Sequence, residues 1–142
     1  MTQRTKFKLV IYFILLMIGI SLVIWLFLHN NAVKRDYERI SDMRQLQSRW
    51  LEYFGKFSTF EVPDCNVGRL ISSCTGNNER LLDVSGLNDP LGKDQYYYVL
   101  EDLSQLDFTV GFYLETKIGN LLPGKYLLTS QGINSAQIPS EL

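Results

Sequence analysis

Residues 9–28 read LVIYFILLMIGISLVIWLFL, twenty positions without one charged side chain. As a helix rising about 1.5 Å per residue, the run covers about 30 Å, the hydrocarbon thickness of a bilayer. Lipid offers no partner to a backbone N–H or C=O, so a spanning segment must satisfy these groups within itself, as a helix does. The run therefore predicts a transmembrane helix, and everything after it belongs to a tethered protein.

The flanks give the expected direction of crossing. Arg4, Lys6 and Lys8 precede the run with no acid among them, whereas Lys34, Arg35 and Arg39 follow it interleaved with Asp36, Glu38 and Asp42. Basic residues close to a span stay on the cytoplasmic side. Residues 1–8 are therefore expected in the cytoplasm, and the C-terminal domain outside it, in a single-pass protein of the cell membrane. A secretory signal would have an apolar core of about 7–15 residues ending at small residues. Here the run is longer and ends in Trp25, Phe27, Leu28 and His29, which predicts a retained anchor with Trp25 and the sole histidine at the lipid interface.

Beyond the span, residues 29–57 carry helical periodicity. Val33, Tyr37, Ile40, Met43, Leu46, Trp50 and Phe54 recur at steps of three or four, the spacing of one helix face. Arg35, Asp36, Glu38, Arg39, Asp42, Arg44 and Gln45 fall between them and read as a solvated face. No proline or glycine interrupts residues 32–54, so this helix is expected to continue from the transmembrane one as a rod of about 70 Å. Gly55 stands where a C-cap is expected. Trp50, Leu51 and Phe54 are assigned to the domain's own core. Val33, Tyr37 and Ile40, nearer the membrane, form a candidate face for another subunit or helix.

Residues 58–94 are dominated by turn-formers, among them Pro63, Gly68, Gly76-Asn77-Asn78, Gly86, Asn88-Asp89-Pro90 and Gly92. Only residues 80–84 suggest a brief helix or turn. A connection this long needs a pin inside a compact domain. Cys65 and Cys74, the two cysteines of the chain, are expected to supply it as a disulfide, the default in an oxidising compartment. Closing a ring of about ten residues stabilises by roughly 2.5–3 kcal/mol in the chain-entropy picture.

The period then changes to two. Residues 95–100, QYYYVL, are rich in β-formers, and Phe108, Val110, Phe112 and Leu114 alternate with Thr109, Gly111, Tyr113 and Glu115. A third run, residues 125–129, follows Pro123-Gly124. Short connections between successive strands imply an antiparallel meander. The expected fold is α+β: a transmembrane helix continuing into a long amphipathic helix packed on a small three-stranded antiparallel sheet. The globular part spans residues 58–131, and the polar stretch 132–142 is expected to be a loose tail.

Three stretches in this order resemble the type IV pilin-like proteins, including the pseudopilins of type II secretion systems. KRDYERISDMRQLQSRWLEYF (34–54) resembles that family's helix, with its basic-Asp pair, Leu-Gln repeat and aromatic end. Asn88-Asp89-Pro90-Leu91-Gly92 before Tyr96-Tyr97-Tyr98 is similar to the family's Asp-Pro-aromatic-Gly turn. Phe108 to Glu115 is similar to its Y-x-V-x-x-x-L-E strand. The resemblance covers most of residues 9–130. It implies a structural or accessory part in a pilus or secretion apparatus, with other pilin-like subunits or assembly proteins as partners besides the bilayer. The family's leader ends in glycine, followed by Phe or Met and, five residues into the mature chain, a glutamate. Residues 6–9 are Lys-Phe-Lys-Leu without a preceding glycine, and no acid occurs in residues 1–28. Uncleaved retention is therefore expected, and with it a second possibility, a stand-alone bitopic envelope protein that binds a partner without polymerising.

Other function classes find little support. A formal charge of −1 does not suit nucleic acid, whose phosphates need a basic face. With one histidine at the membrane edge and both cysteines expected oxidised, no nucleophile, base and orienting group come together. An envelope enzyme or solute-binding module is the least favoured of three hypotheses. Asp83, Asp89, Asp94, Glu101, Asp102 and Asp107 show no catalytic spacing and read as surface acids. Asp89 and Asp94 are the residues a calcium site would use, but a dedicated loop's alternation of oxygen ligands is missing. Neither metal nor cofactor is expected.

Overall fold

The computed structural model of the protein describes residues 3–74, 82, 84 and 86–136, with side chains from residue 8 onward apart from residue 9. Helix α1 spans Gln3–Phe57 without a break. Among the described residues a 3-10 turn, Ile71–Ser73, follows. Four strands come next: β1 (Val99–Leu103), β2 (Phe108–Leu114), β3 (Gly124–Thr129) and β4 (Gly132–Ser135). They form one antiparallel sheet in the order β1-β2-β3-β4.

The two halves of α1 live in different surroundings. Among the described residues it is the one helix long and apolar enough to cross a membrane, and its most apolar stretch is buried against nothing in the chain. From Ile40 onward the same helix presents Ile40, Met43, Leu46, Trp50 and Tyr53 to the sheet. Phe108, Val110, Phe112 and Leu114 of β2, with Tyr126 and Leu128 of β3, meet them. The alternation of β2 therefore works as expected, with even-numbered residues inward. Trp50 stacks on Phe108 at 4.2 Å between ring centroids, and Phe60 meets Phe108 at 5.3 Å with its ring tilted. Burying one such aromatic contributes about 1.5–3 kcal/mol.

β2 runs antiparallel to α1. Its first residue, Phe108, lies against Trp50, whereas Glu115 and Thr116, just past its end, bond to Asp36. The C-terminal end of β2 thus points toward the apolar half of the helix.

The cysteine segment lies along β1. Cys65 and Cys74 are joined in a disulfide, 9% and 2% exposed. Within the ring Gly68 N–H donates to Leu100 O (2.7 Å), Leu100 N–H to Arg69 O (3.0 Å) and Ile71 N–H to Tyr98 O (2.9 Å). The ring therefore satisfies β1's outer edge, which otherwise presents unpaired backbone groups.

Several expectations need correction. The sheet has four strands, not three, because residues 132–135, assigned to the tail, pair with β3. Gly132 at φ +127 allows the tight return after Ser130-Gln131; backbone pairing, not an apolar pattern, makes this strand. The first strand begins at Val99 rather than Gln95, because Tyr96 and Tyr97 N–H groups bond back to Lys93 and Gln95 in turns. Gly55 does not end the helix. Ser58 takes the left-handed conformation (φ +55) and its N–H returns to Phe54 O at 2.7 Å, the single-bond form of C-cap. Of the brief helix suggested at 80–84, only Leu82 and Val84 lie within the described residues, both buried.

Candidate functional site

The densest polar arrangement is where α1 leaves its apolar half. Arg39 is fully buried and its planar fork is almost fully used. Nε and Nη2 donate to the two oxygens of Asp89 at 2.6 and 2.9 Å. Nη1 donates to Asp36 Oδ1 at 2.7 Å and to Glu115 Oε1 at 2.6 Å. Tyr96 lies under the guanidinium, 4.7 Å from carbon to ring centroid, a favourable cation–π distance.

The carboxylates are satisfied in turn. Asp36, also fully buried, accepts from the backbone N–H groups of Glu115 and Thr116 and from the Thr116 hydroxyl. Asp89 Oδ1 accepts the Leu91 N–H at 2.8 Å. Arg35 Nε and Nη2 grip Glu115 at 2.8 and 2.6 Å. One turn further along, the Tyr98 hydroxyl donates to Asp42 at 2.8 Å. Three carboxylates and two guanidiniums thus tie the helix at residues 35–39 to the 88–92 turn and to the end of β2. Taking charges out of water is costly unless each one is paired and hydrogen-bonded. Here each is.

The electrostatics follow from this packing. Burial alone would lower the Arg39 pKa, but its bonds to Asp89, Glu115 and Asp36 outweigh that and hold it above the ordinary value. Glu115 sits below the usual glutamate range, first because Arg35 bonds to it, with Arg39 adding to that effect against the opposing effect of burial. Burial, reinforced by Asp42, pushes the Tyr98 hydroxyl well above its usual range.

The arrangement corrects the sequence-based assignment of Arg35, Asp36 and Arg39 to a solvated face. A signal was present: counted back from Met43, Arg39 and Asp36 fall four and seven residues away, on the buried stripe. Asp89, assigned to the surface, is 7% exposed and committed to Arg39; Asp94 is exposed. No group of acids, histidines and cysteines able to hold a metal occurs among the described residues. Asp107 acts as a local brace, accepting from Phe108 and Ser130 N–H groups at 2.8 and 3.0 Å.

The candidate interaction face is divided by the structure. Tyr37 is 60% exposed, Val33 half-buried, and Ile40, at 8%, belongs to the core. Ile40 reaches the sheet after all, because the end of β2 comes down to Asp36. Trp25 and His29 stack face to face at 5.5 Å, one helical turn apart at the end of the apolar run. A cavity of about 180 Å³ lies between the cysteine ring and the 87–92 turn, lined by Leu70, Ser72, Asn88 and Tyr97 among others.

No family model matches the chain, and neither a curated protein nor a solved structure matches it.

Proposed function

We propose that the protein is a single-pass, membrane-anchored, pilin-like component of a pilus or secretion-type apparatus and acts by association with other proteins. In this reading the N-terminal residues are cytoplasmic, α1 crosses the bilayer, and the sheet domain stands outside the cytoplasm. Its partners are the bilayer and other pilin-like subunits or assembly proteins. The observation that supports it most is α1 itself: one uninterrupted helix, Gln3–Phe57, apolar and unburied in its first half, packed on an antiparallel sheet in its second. The disulfide suits an oxidising compartment. Among the described residues, the buried carboxylates Asp36 and Asp89 are engaged by protein donors, which suits a clamp rather than a centre of turnover.

One observation favours a non-polymerising accessory protein over a filament subunit. Residues 1–28 contain no acid, so the segment brings no carboxylate into the membrane to neutralise a neighbour's terminal amine. A photocrosslinking residue in place of Tyr37, 60% exposed above the span, separates the two in native cells. A ladder of adducts to pilin-like subunits supports the structural role; a single adduct to another membrane protein supports the accessory role. Adducts to lipid alone would contradict both.

A further inference from the structure

We propose that the outer edge of β4 is a docking site for an extended segment of a partner protein, which adds to the sheet as a fifth strand beside Ile133 and Ser135. The inference rests on the reading of a protein that acts by association, and deepens it by naming the surface and the backbone chemistry of the contact.

The two edges of the sheet are built differently. Beyond β1, the cysteine ring supplies partners for the strand's outward groups: Leu100 N–H and C=O bond to Arg69 and Gly68, and Tyr98 C=O accepts from Ile71. In an antiparallel pair, successive residues turn their N–H and C=O alternately toward the partner strand and away from it. Ala136 N–H donates to Lys125 O at 3.2 Å, so the even-numbered residues of this stretch face β3, and Ile133 and Ser135 face outward. Among the described residues no backbone hydrogen bond reaches either of them on that side. Each leaves a donor and an acceptor open at strand spacing, the pattern that another extended backbone completes.

The direction of β4 decides the occupant. β4 is antiparallel to β3 and therefore runs with β2, toward the apolar half of α1. Two copies anchored in one membrane through α1 point their β4 strands the same way, whereas a two-fold pairing of identical edges is antiparallel. A second copy does not fit, so the segment belongs to another protein. Its side chains alternate between the two faces of the sheet. On the face toward α1 it meets Ile133, half-buried against the core, which calls for an apolar residue; on the other it meets Asn134, exposed, which calls for a polar one. Gln47 donates to Ser130 O in the β3–β4 turn at 3.0 Å. Arg44, one turn earlier on that flank of α1, is exposed and in no ion pair among the described residues. An acidic residue in the segment matches its charge.

The test uses the full-length protein in its native cells, with a photocrosslinking residue in place of Asn134 or, separately, of Tyr37. Ser135→Pro deletes an outward N–H that β3 does not use, at an edge position where a strand tolerates proline; Ser135→Ala keeps that N–H. The expected result is an adduct from position 134 to another protein that falls several-fold with Ser135→Pro and persists with Ser135→Ala. Protein adducts from 37 with none from 134, or an adduct from 134 indifferent to the proline, overturn the edge contact and leave association standing. An adduct from 134 to a second copy of the chain overturns the choice of partner, and the absence of protein adducts at both positions overturns association itself. Hydrogen exchange of the purified protein in nanodiscs checks the edge without any variant. Fast exchange at the Ile133 and Ser135 amides beside a protected Asn134 is expected; protection at all three would mean an edge already covered and overturn the proposal.

Discussion

Arg39 shows how one side chain can join three segments that are far apart in sequence. Its fork meets Asp36 on its own helix, Asp89 fifty residues on, and Glu115 seventy-six residues on. Arg39→Ala would leave these carboxylates buried without their cation, a change that costs about 3–5 kcal/mol. Urea unfolding of the detergent-solubilised protein should show a loss of that size. Arg39→Lys should recover only part of it, since a point charge cannot match the bidentate geometry on Asp89. Glu115 gives the pH dependence. Its folded pKa is depressed, so its contribution is fully present above the unfolded value of about 4.3 and is lost as pH falls through the folded one. Melting temperature should therefore fall with acidification in this range, and Glu115→Gln should flatten the fall while lowering stability near neutrality. At this scale the sequence misleads for a definite reason: Asp and Arg are rarely fully buried unless paired, and the partners at 89 and 115 are invisible to local periodicity.

At the scale of elements, pattern-bearing segments are legible and pairing-dependent ones are not. β2 and β3 stand out because alternation reports a sheet with one buried face. β4 does not, since Gly-Ile-Asn-Ser has no alternation and owes its strand state to β3's backbone. The cysteine ring was legible as a staple but not as the cover of β1's edge. Removing it with Cys65→Ser and Cys74→Ser together should cost about 2–5 kcal/mol. Hydrogen exchange should quicken at the amides of Gly68, Ile71 and Leu100, which bond across that edge. Gly111 has a clear reason in the sheet: a Cβ there would run into the Glu101 carboxyl group, which lies across it to meet Lys125 at 2.7 Å. Gly111→Ala should displace Glu101 and, as that pair is partly exposed, cost under about 1 kcal/mol for its loss.

At the scale of the whole molecule, the helix unites an apolar half, long and apolar enough to cross a membrane and unburied in the chain, with a half that builds a core. The clamp at residues 35–39 lies between them, so a force or tilt applied to the apolar half reaches the sheet within a few helical turns. Hydrogen exchange in nanodiscs should find unbroken protection through residues 25–39; a fast-exchanging window at 30–35 would mean a hinge instead of a rod. The long helix and the sheet were legible in the sequence, whereas the clamp depends on tertiary contacts that periodicity alone does not carry. The most direct test of the central claim, a domain held outside the cytoplasm on an unbroken membrane helix, is labelling of Leu106→Cys by a membrane-impermeant maleimide in intact spheroplasts. The account predicts full labelling before the membrane is opened. Labelling only after disruption would place the domain inside the cell and contradict it.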